Sequence, residues 1–297
     1  MYNPSVIVLS IFKIQLTKFK QRGLIFVEVK LKMSVASEKF ENTYGSIKTK
    51  GDFNMLVLNH KLQKVLQFLA TSKAMDWIGV AIIFAGAYFA GWFTETLGMV
   101  NPHAPAWMLG LWFGFISTCS SALSLVSDRL DARLNKYANW LSLLQTLVAM
   151  WIDYELGNKS AFITYPITFV IYMFAIHNWA KIGEGKARKP LTGTKAKVVA
   201  IVAIIGSIIF SALTNFIGFQ NFSSLYWLTT IVFAMSLIAN IYSALKLQTQ
   251  WGYWIVYNFV QLFKNLTQMN ASNVIKYVYY IVNSFAGHAY WKSATKK

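Results

Sequence analysis

Near the end of the chain, the run Gln250-Trp251-Gly252-Tyr253-Trp254-Ile255-Val256-Tyr257-Asn258 sets two tryptophans and an asparagine at i, i+3 and i+7. That is the spacing of one helical face, and Gln261 and Asn265 continue it. Indole rings offer flat π-faces, and a carboxamide both donates and accepts hydrogen bonds. Together they suit a flat, polar heterocycle. The stripe lies in an otherwise apolar segment, where unpartnered amides are costly in lipid, so it is expected to face a cavity. Neighbouring segments carry further polar faces: Ser236, Asn240 and Ser243 in 224–245, Tyr280 and Asn283 in 272–291, and Ser142 and Gln145 in 137–156. These offer further amides and hydroxyls for hydrogen bonding. Several have a second reading. Trp251 also suits an interface belt, Asn258 a helix–helix hydrogen bond, and Ser236 and Ser243 plain packing.

Other chemistry is weakly signalled. Cys119 is the single cysteine and sits in an apolar run, so neither a disulfide framework nor a cysteine zinc site can be built. No glycine-rich phosphate loop is present. Asp128, Arg129, Asp131 and Arg133 alternate in sign and read as a solvated turn; Asp153 and Glu155 read as a solvated helix end. Lys264 and Lys276 are expected to snorkel from the outer ends of their spans. His177 and His288 precede Trp179 and Trp291 and read as interface residues. No buried carboxylate pair of the kind a proton-coupled pump requires is seen. The chain therefore reads as a non-enzyme with no cofactor and no metal. An integral membrane enzyme acting on lipid or isoprenoid substrates, or a non-transporting scaffold, is the rival from another class.

The elements that must position these residues are membrane spans. The 297 residues are 56% hydrophobic and 13% charged, with a mean hydropathy of +0.42. A span needs about 20 apolar residues. Eight segments qualify: 75–94, 105–126, 137–156, 160–179, 198–219, 224–245, 251–268 and 272–291. The net charge of +17 collects between them, as in Lys181, Lys186, Arg188, Lys189, Lys195 and Lys197, which argues for positive-inside orientation and against nucleic acid. The loops 95–104, 157–159 and 220–223 hold few cations. Both termini are thus expected in the cytoplasm. Residues 1–74 form a cytoplasmic extension, with 55–73 as an amphipathic surface helix touching lipid, and 292–297 form a tail. The apolar run Ile7–Phe12 is too short to span, and Met33 reads as a plausible true start.

The chain also reads as duplicated. Asn258 precedes Trp291 much as Gln145 precedes Trp179, with aromatic-rich helix starts before each amide. Segments 105–179 and 224–291 form two three-helix units, 198–219 links them, and 75–94 stands outside this 3+1+3 scheme. One linking span returns the chain, so the units are parallel repeats about an axis along the membrane normal. The fold class is an all-α integral membrane protein.

Trp251-x-x-Trp254-x-x-x-Asn258, the corresponding segment 137–156, the 3+1+3 layout and the closing Trp291 resemble the PnuC family of bacterial vitamin transporters, over roughly residues 105–292. The resemblance implies a SWEET-like fold, a homotrimer in the bacterial inner membrane, and facilitated diffusion of nicotinamide riboside with trapping by cytoplasmic phosphorylation. Relatives carrying thiamine or deoxynucleosides supply the alternative. Carried across, Trp251, Trp254 and Asn258 would bind the vitamin, with Gln145 standing where some members have Asn. Asn240, Gln261, Tyr280 and Asn283 complete the candidate set on the basis of their helical faces.

The orientation is open to a direct check. Cysteines introduced at Thr194 and Ser223 are expected to react with an impermeant thiol reagent from opposite sides of the membrane. Reaction of both from one side would break the eight-span topology.

Overall fold

The computed structural model describes residues 60–190 and 192–295. The run Ile7–Phe12, the start at Met33 and residues 55–59 of the expected surface helix lie outside them. The described chain forms α1 (His60–Thr71), α2 (Lys73–Phe89), a short α3 (Leu97–Val100), α4 (Phe113–Ala132), α5 (Ala138–Glu155), α6 (Ala161–Ile182), α7 (Gly193–Phe219), α8 (Ser224–Ala244), α9 (Gln250–Thr267) and α10 (Ala271–Ala294). Among the described residues no strand is formed.

Each of the eight expected apolar segments corresponds to one long helix, with one clear shift. The segment expected at 105–126 becomes helical only at Phe113 and continues to Ala132. Residues before it instead form a compact loop, in which Leu97 N–H donates to Leu111 O at 2.9 Å and Gly114 N–H to Glu95 O at 2.9 Å. The backbone of Trp92 comes so close that a Cβ at Gly114 would lie 1.6 Å from its carbonyl oxygen, so only glycine fits there.

By length and composition, α6, α7 and α8 can cross a membrane, and α1 with α2, bent by 75° at Ser72, counts as a fourth if the pair is one span. The other long helices owe their lower hydropathy to polar stripes. In α4 these are Ser117, Ser120, Ser121, Ser124, Ser127 and Asp128.

Six helices pack into a closed ring in the order α4, α5, α6, α8, α9, α10, with α10 returning to α4. Outside it, α2 packs on α4 and α10, while α7 packs on α8 and α6. In packing, α2 stands to α10 and α4 as α7 stands to α6 and α8.

The backbone repeats in register with the packing. Left-handed Leu134 (φ 59°) recurs as Lys246 (φ 54°), an offset of 246 − 134 = 112, and Gly157 (φ 93°) recurs as Met269 (φ 54°) at the same offset. Non-glycine residues rarely adopt such angles, so the recurrence is informative. Ser160 Oγ donates to Asn158 Oδ1 at 2.8 Å, as Ser272 Oγ does to Asn270 Oδ1 at 2.9 Å. Trp179 Nε1 donates to the Ser243 carbonyl at 2.8 Å, as Trp291 Nε1 does to the Asp131 carbonyl at 3.2 Å. The fixed offset pairs Asn258 with Thr146, one position past Gln145, the residue expected from amide-to-tryptophan spacing alone.

One end of the ring holds an aromatic cluster built on Trp179, Trp251 and Trp291, all fully or almost fully buried. Trp291 stands 6.1 Å from Trp179 and 5.9 Å from Trp251, centroid to centroid. Trp251 lies directly over Gly287, where an added Cβ would fall 2.4 Å from its ring. Gly287→Ala gains about 1 kcal/mol in helix propensity, but overpacking a rigid indole costs roughly 1–3 kcal/mol. The variant is expected to melt at a lower temperature than wild type in detergent; an unchanged or higher melting point would show that the cluster yields.

Candidate binding site

The ring encloses a cavity of about 170 Å³ lined by all six of its helices. The polar stripe of α4 runs its length, because serines at three- and four-residue spacing share one helical face. Facing it is an aromatic wall of Trp254, Tyr257, Tyr277 and Tyr280, with Tyr165 and Tyr172 contributed by α6. The Trp254 and Tyr257 rings meet edge to face at 5.0 Å, and Trp254 Nε1 donates to Gln250 Oε1 at 3.2 Å, which fixes the indole. Tyr277 meets Tyr280 at 5.5 Å, and the Tyr280 hydroxyl lies 2.8 Å from Ser124 Oγ.

Of the residues singled out in the sequence, Gln145, Asn240, Trp254, Asn258, Gln261 and Tyr280 line this cavity. Gln145 Nε2 donates to Ser120 Oγ at 3.3 Å, and Gln261 Nε2 to the Tyr257 hydroxyl at 2.8 Å. Trp251 and Asn283 do not line it. Trp251 is rotated away from Trp254 by the shortfall of three residues from a full helical turn, and its ring is consumed by packing on Trp291 and Gly287. Asn283 is consumed by polar contacts: it accepts from Arg129 Nη1 at 2.7 Å and donates to Asp128 Oδ2 at 2.5 Å.

Three carboxamides on the cavity wall are incompletely bonded: Asn139 Nδ2 is an unmet donor, and the other two lack a partner for an acceptor. Asn258 donates to Ser284 Oγ at 2.8 Å and to the Tyr280 carbonyl at 3.3 Å, yet its buried Oδ1 has no partner. Asn240 Oδ1 is likewise buried and unpartnered. Leaving a buried acceptor unmet costs about 1–3 kcal/mol. Both residues thus line the cavity while one acceptor of each stays unmet.

The charged residues depart most from expectation. Lys264 does not snorkel; it is buried and bonded to both oxygens of Asp153, at 2.6 and 2.7 Å. Asp153, expected at a solvated helix end, also accepts from Asn158 at 2.6 Å and Gln268 at 3.1 Å. Lys276 is 4% exposed and lies 4.7 Å from the Tyr277 ring centroid. The expected solvated turn at 128–133 is instead the last part of α4 and its cap. Arg129 and Arg133 share Asp76 of α2, at 2.8 and 2.7 Å, whereas Asp128 and Asp131 line the cavity. Helical periodicity would have separated these two faces had the span been carried past residue 126. In the α8–α9 loop, Lys246 lies 4.3 Å from the Trp179 ring centroid. Burial pulls its ammonium down to about 8, with Asp131 and Glu184 acting in the opposite direction.

With this geometry in place, comparison with known proteins is specific. The family model described as Nicotinamide mononucleotide transporter matches residues 111–293. A solved structure titled "Crystal structure of the Vitamin B3 transporter PnuC" superposes with a TM-score of 0.57 at 14% identity, over 79% of this chain and 97% of that chain. At that identity the likeness concerns the fold. Curated protein sequences give no match.

The Asp153–Lys264 pair generates a stability test. Asp153→Asn leaves a buried ammonium uncompensated, and breaking a buried pair in this way costs about 3–5 kcal/mol. The variant is expected to unfold well below the wild-type temperature in detergent, and Asp153→Asn/Lys264→Met to recover part of the loss. An unshifted melting curve for Asp153→Asn would mean that Lys264 reaches water.

Proposed function

The chain belongs to the nicotinamide mononucleotide transporter family, and on that premise we propose that this membrane transporter carries nicotinamide riboside by facilitated diffusion. The observation that carries this reading is the pairing of an aromatic wall with two unmet carboxamide acceptors on one cavity, at Asn258 and Asn240. A pyridinium ring suits aromatic faces, and a desolvated cation–π contact is worth about 2 kcal/mol. The carboxamide and ribose hydroxyls of the vitamin are donors that unmet acceptors and the α4 serines can take up. Trp254 is assigned to stack the ring and Asn258 to accept from the carboxamide, with Gln145, Asn240, Gln261 and Tyr280 around them.

The charges favour a nucleoside over its phosphate ester. Lys264 is occupied by Asp153, which leaves Lys276 as the cavity cation without an ion pair among the described residues. Asp128 and Asp131 offer a phosphate no positive charge. The same reading takes α2 and α4 through α10 as eight spans, both termini as cytoplasmic, and the two halves as parallel repeats about the membrane normal, as in SWEET-like folds. It places the protein in the bacterial inner membrane as a homotrimer, with cytoplasmic phosphorylation trapping the cargo. Trp251 supports the site from behind, through the cluster that Trp254 packs against.

Calorimetric titration of the detergent-solubilised protein tests the assignment. Nicotinamide riboside is expected to bind, and nicotinamide mononucleotide, thiamine and a deoxynucleoside to bind more weakly. Trp254→Ala should lose roughly 1–3 kcal/mol, by analogy with base–aromatic stacking, and Trp254→Phe less. Asn258→Leu should lose binding and keep the fold. Unchanged affinity in both Trp254→Ala and Asn258→Leu would overturn the site; binding of thiamine alone would overturn the substrate.

A further inference from the structure

We propose that Asp128 and Asp131 are the charge-selecting residues of the cavity, holding a cationic ring in preference to a neutral one of the same shape. The inference rests on the reading of the cavity as a pyridine-nucleoside site and concerns residues that reading leaves without a role. Both carboxylates line the cavity from the last turns of α4, three residues apart and so on one face. The arginines beside them in sequence are committed elsewhere, since Arg129 and Arg133 both pair with Asp76. The bonds the carboxylates do make are to neutral groups: Asn283 Nδ2 donates to Asp128 and Ser243 Oγ to Asp131. Among the described residues neither has an ion-pair partner.

The cations nearby make no ion pair with them among the described residues, although Lys246 feels Asp131 and Lys276 feels Asp128 at longer range. Lys264 is taken by Asp153. Lys276 precedes Asn283, the residue that meets Asp128, by two turns of α10, about 10 Å along the axis at 1.5 Å per residue. Asp131 lies a turn farther again. Lys246 donates to the Gly183 carbonyl and covers the Trp179 ring.

A second feature of the cavity wall points to a ligand at the same end. Asn240 is 3% exposed, its Oδ1 has no partner, and it sits one turn before Ser243, the donor to Asp131. At the repeat offset of 112 it is also the counterpart of Asp128. Carboxylates and an unmet carbonyl therefore line one cavity, a set of acceptors that no ion pair matches among the described residues. Trp254 lines the same cavity. A ring stacked on Trp254 would share that cavity with Asp128 and Asp131, and a fixed positive charge on it would supply what the acceptors lack.

The test compares the riboside in its oxidised, cationic form with the reduced dihydropyridine form, which keeps the ribose and carboxamide and loses the ring charge. Both are titrated into the purified full chain and into D128N, D131N and the double variant, each checked for an unaltered elution profile and melting curve. Wild type is expected to prefer the cation by at least about tenfold. The double variant should bring the two affinities together by weakening the cation alone, and Asp131→Glu should keep the preference. An unchanged ratio in all three Asn variants overturns the proposal, as does equal weakening of both forms, which marks a structural role. A wild-type protein that binds neither riboside overturns the substrate reading instead. Thiamine, another fixed cation, then takes their place, and thiamine affinity unaffected by the double variant overturns the carboxylate assignment separately.

Discussion

A hydrogen-bonding side chain that faces hydrocarbon has no water to bond, and that constraint arranges this structure more than any single contact. Every ring helix carries polar residues, and the stripes they form meet around one cavity. The outer helix α7 carries almost none in its middle and leaves Ile201, Val202, Ile205 and Ile209 exposed. Where α7 does bury polar groups, most close on protein partners: Thr214 donates to the Phe210 carbonyl, Ser160 donates to Asn215, and Asn215 donates to Thr230, while Ser211 Oγ stays unpartnered. Once the stripes are fixed inward, the ring order and the cavity follow.

The repeat offset shows how one duplicated frame yields an asymmetric site. Trp254 corresponds to Ser142, Tyr280 to Thr168 and Asn258 to Thr146, while Asp128 corresponds to Asn240. At these four positions the second half supplies rings and carboxamides, and the first supplies hydroxyls and a carboxylate. Two identical halves would offer the same chemistry from both sides and bind a symmetric partner best. The exchange of side chains on a common backbone gives the cavity an aromatic face opposite a polar one, which is what an amphiphilic heterocycle with a sugar attached requires. Backbone features that carry the frame, such as the left-handed residues and the asparagine–serine helix starts, are kept in both halves, because their role is geometric.

Much of this was legible in the sequence, for identifiable reasons. The α9 stripe is strongly periodic, and periodicity places Trp254, Asn258 and Gln261 on one face whatever the neighbours do. The long helices were legible because apolar length is a local property. The misreadings were of charge. Asp128, Asp131, Lys264 and Lys276 look like boundary residues when a span is ended at the first cluster of charge, yet a helix continues wherever its charges find partners. Those partners lie far away in the chain: Asp153 meets Lys264 across 111 residues, and Arg129 meets Asp76 across 53. No local pattern encodes such a pairing. Trp251 lies off the cavity wall for a smaller reason. Three residues fall 60° short of a full turn at 3.6 residues per turn, enough to move a ring from the cavity to the core.

Two of the contacts that join the halves differ in kind, and the difference bears on how they can separate. At one end Trp179 of the first half packs on Trp291 of the second, and Trp251 lies behind it. At the other end Asp153 of the first half holds Lys264 of the second. Opening the aromatic end exposes apolar surface, a cost that rises with the area uncovered. Opening the ionic end lets two desolvated charges recover their hydration, which offsets much of the attraction lost. A carrier built on this frame therefore meets an apolar resistance at one mouth and a largely compensated one at the other. Movement of one half past the other must break whichever contact lies on the side that opens. The cavity between them, with its unmet acceptors, is the place where a bound ligand can bias that choice.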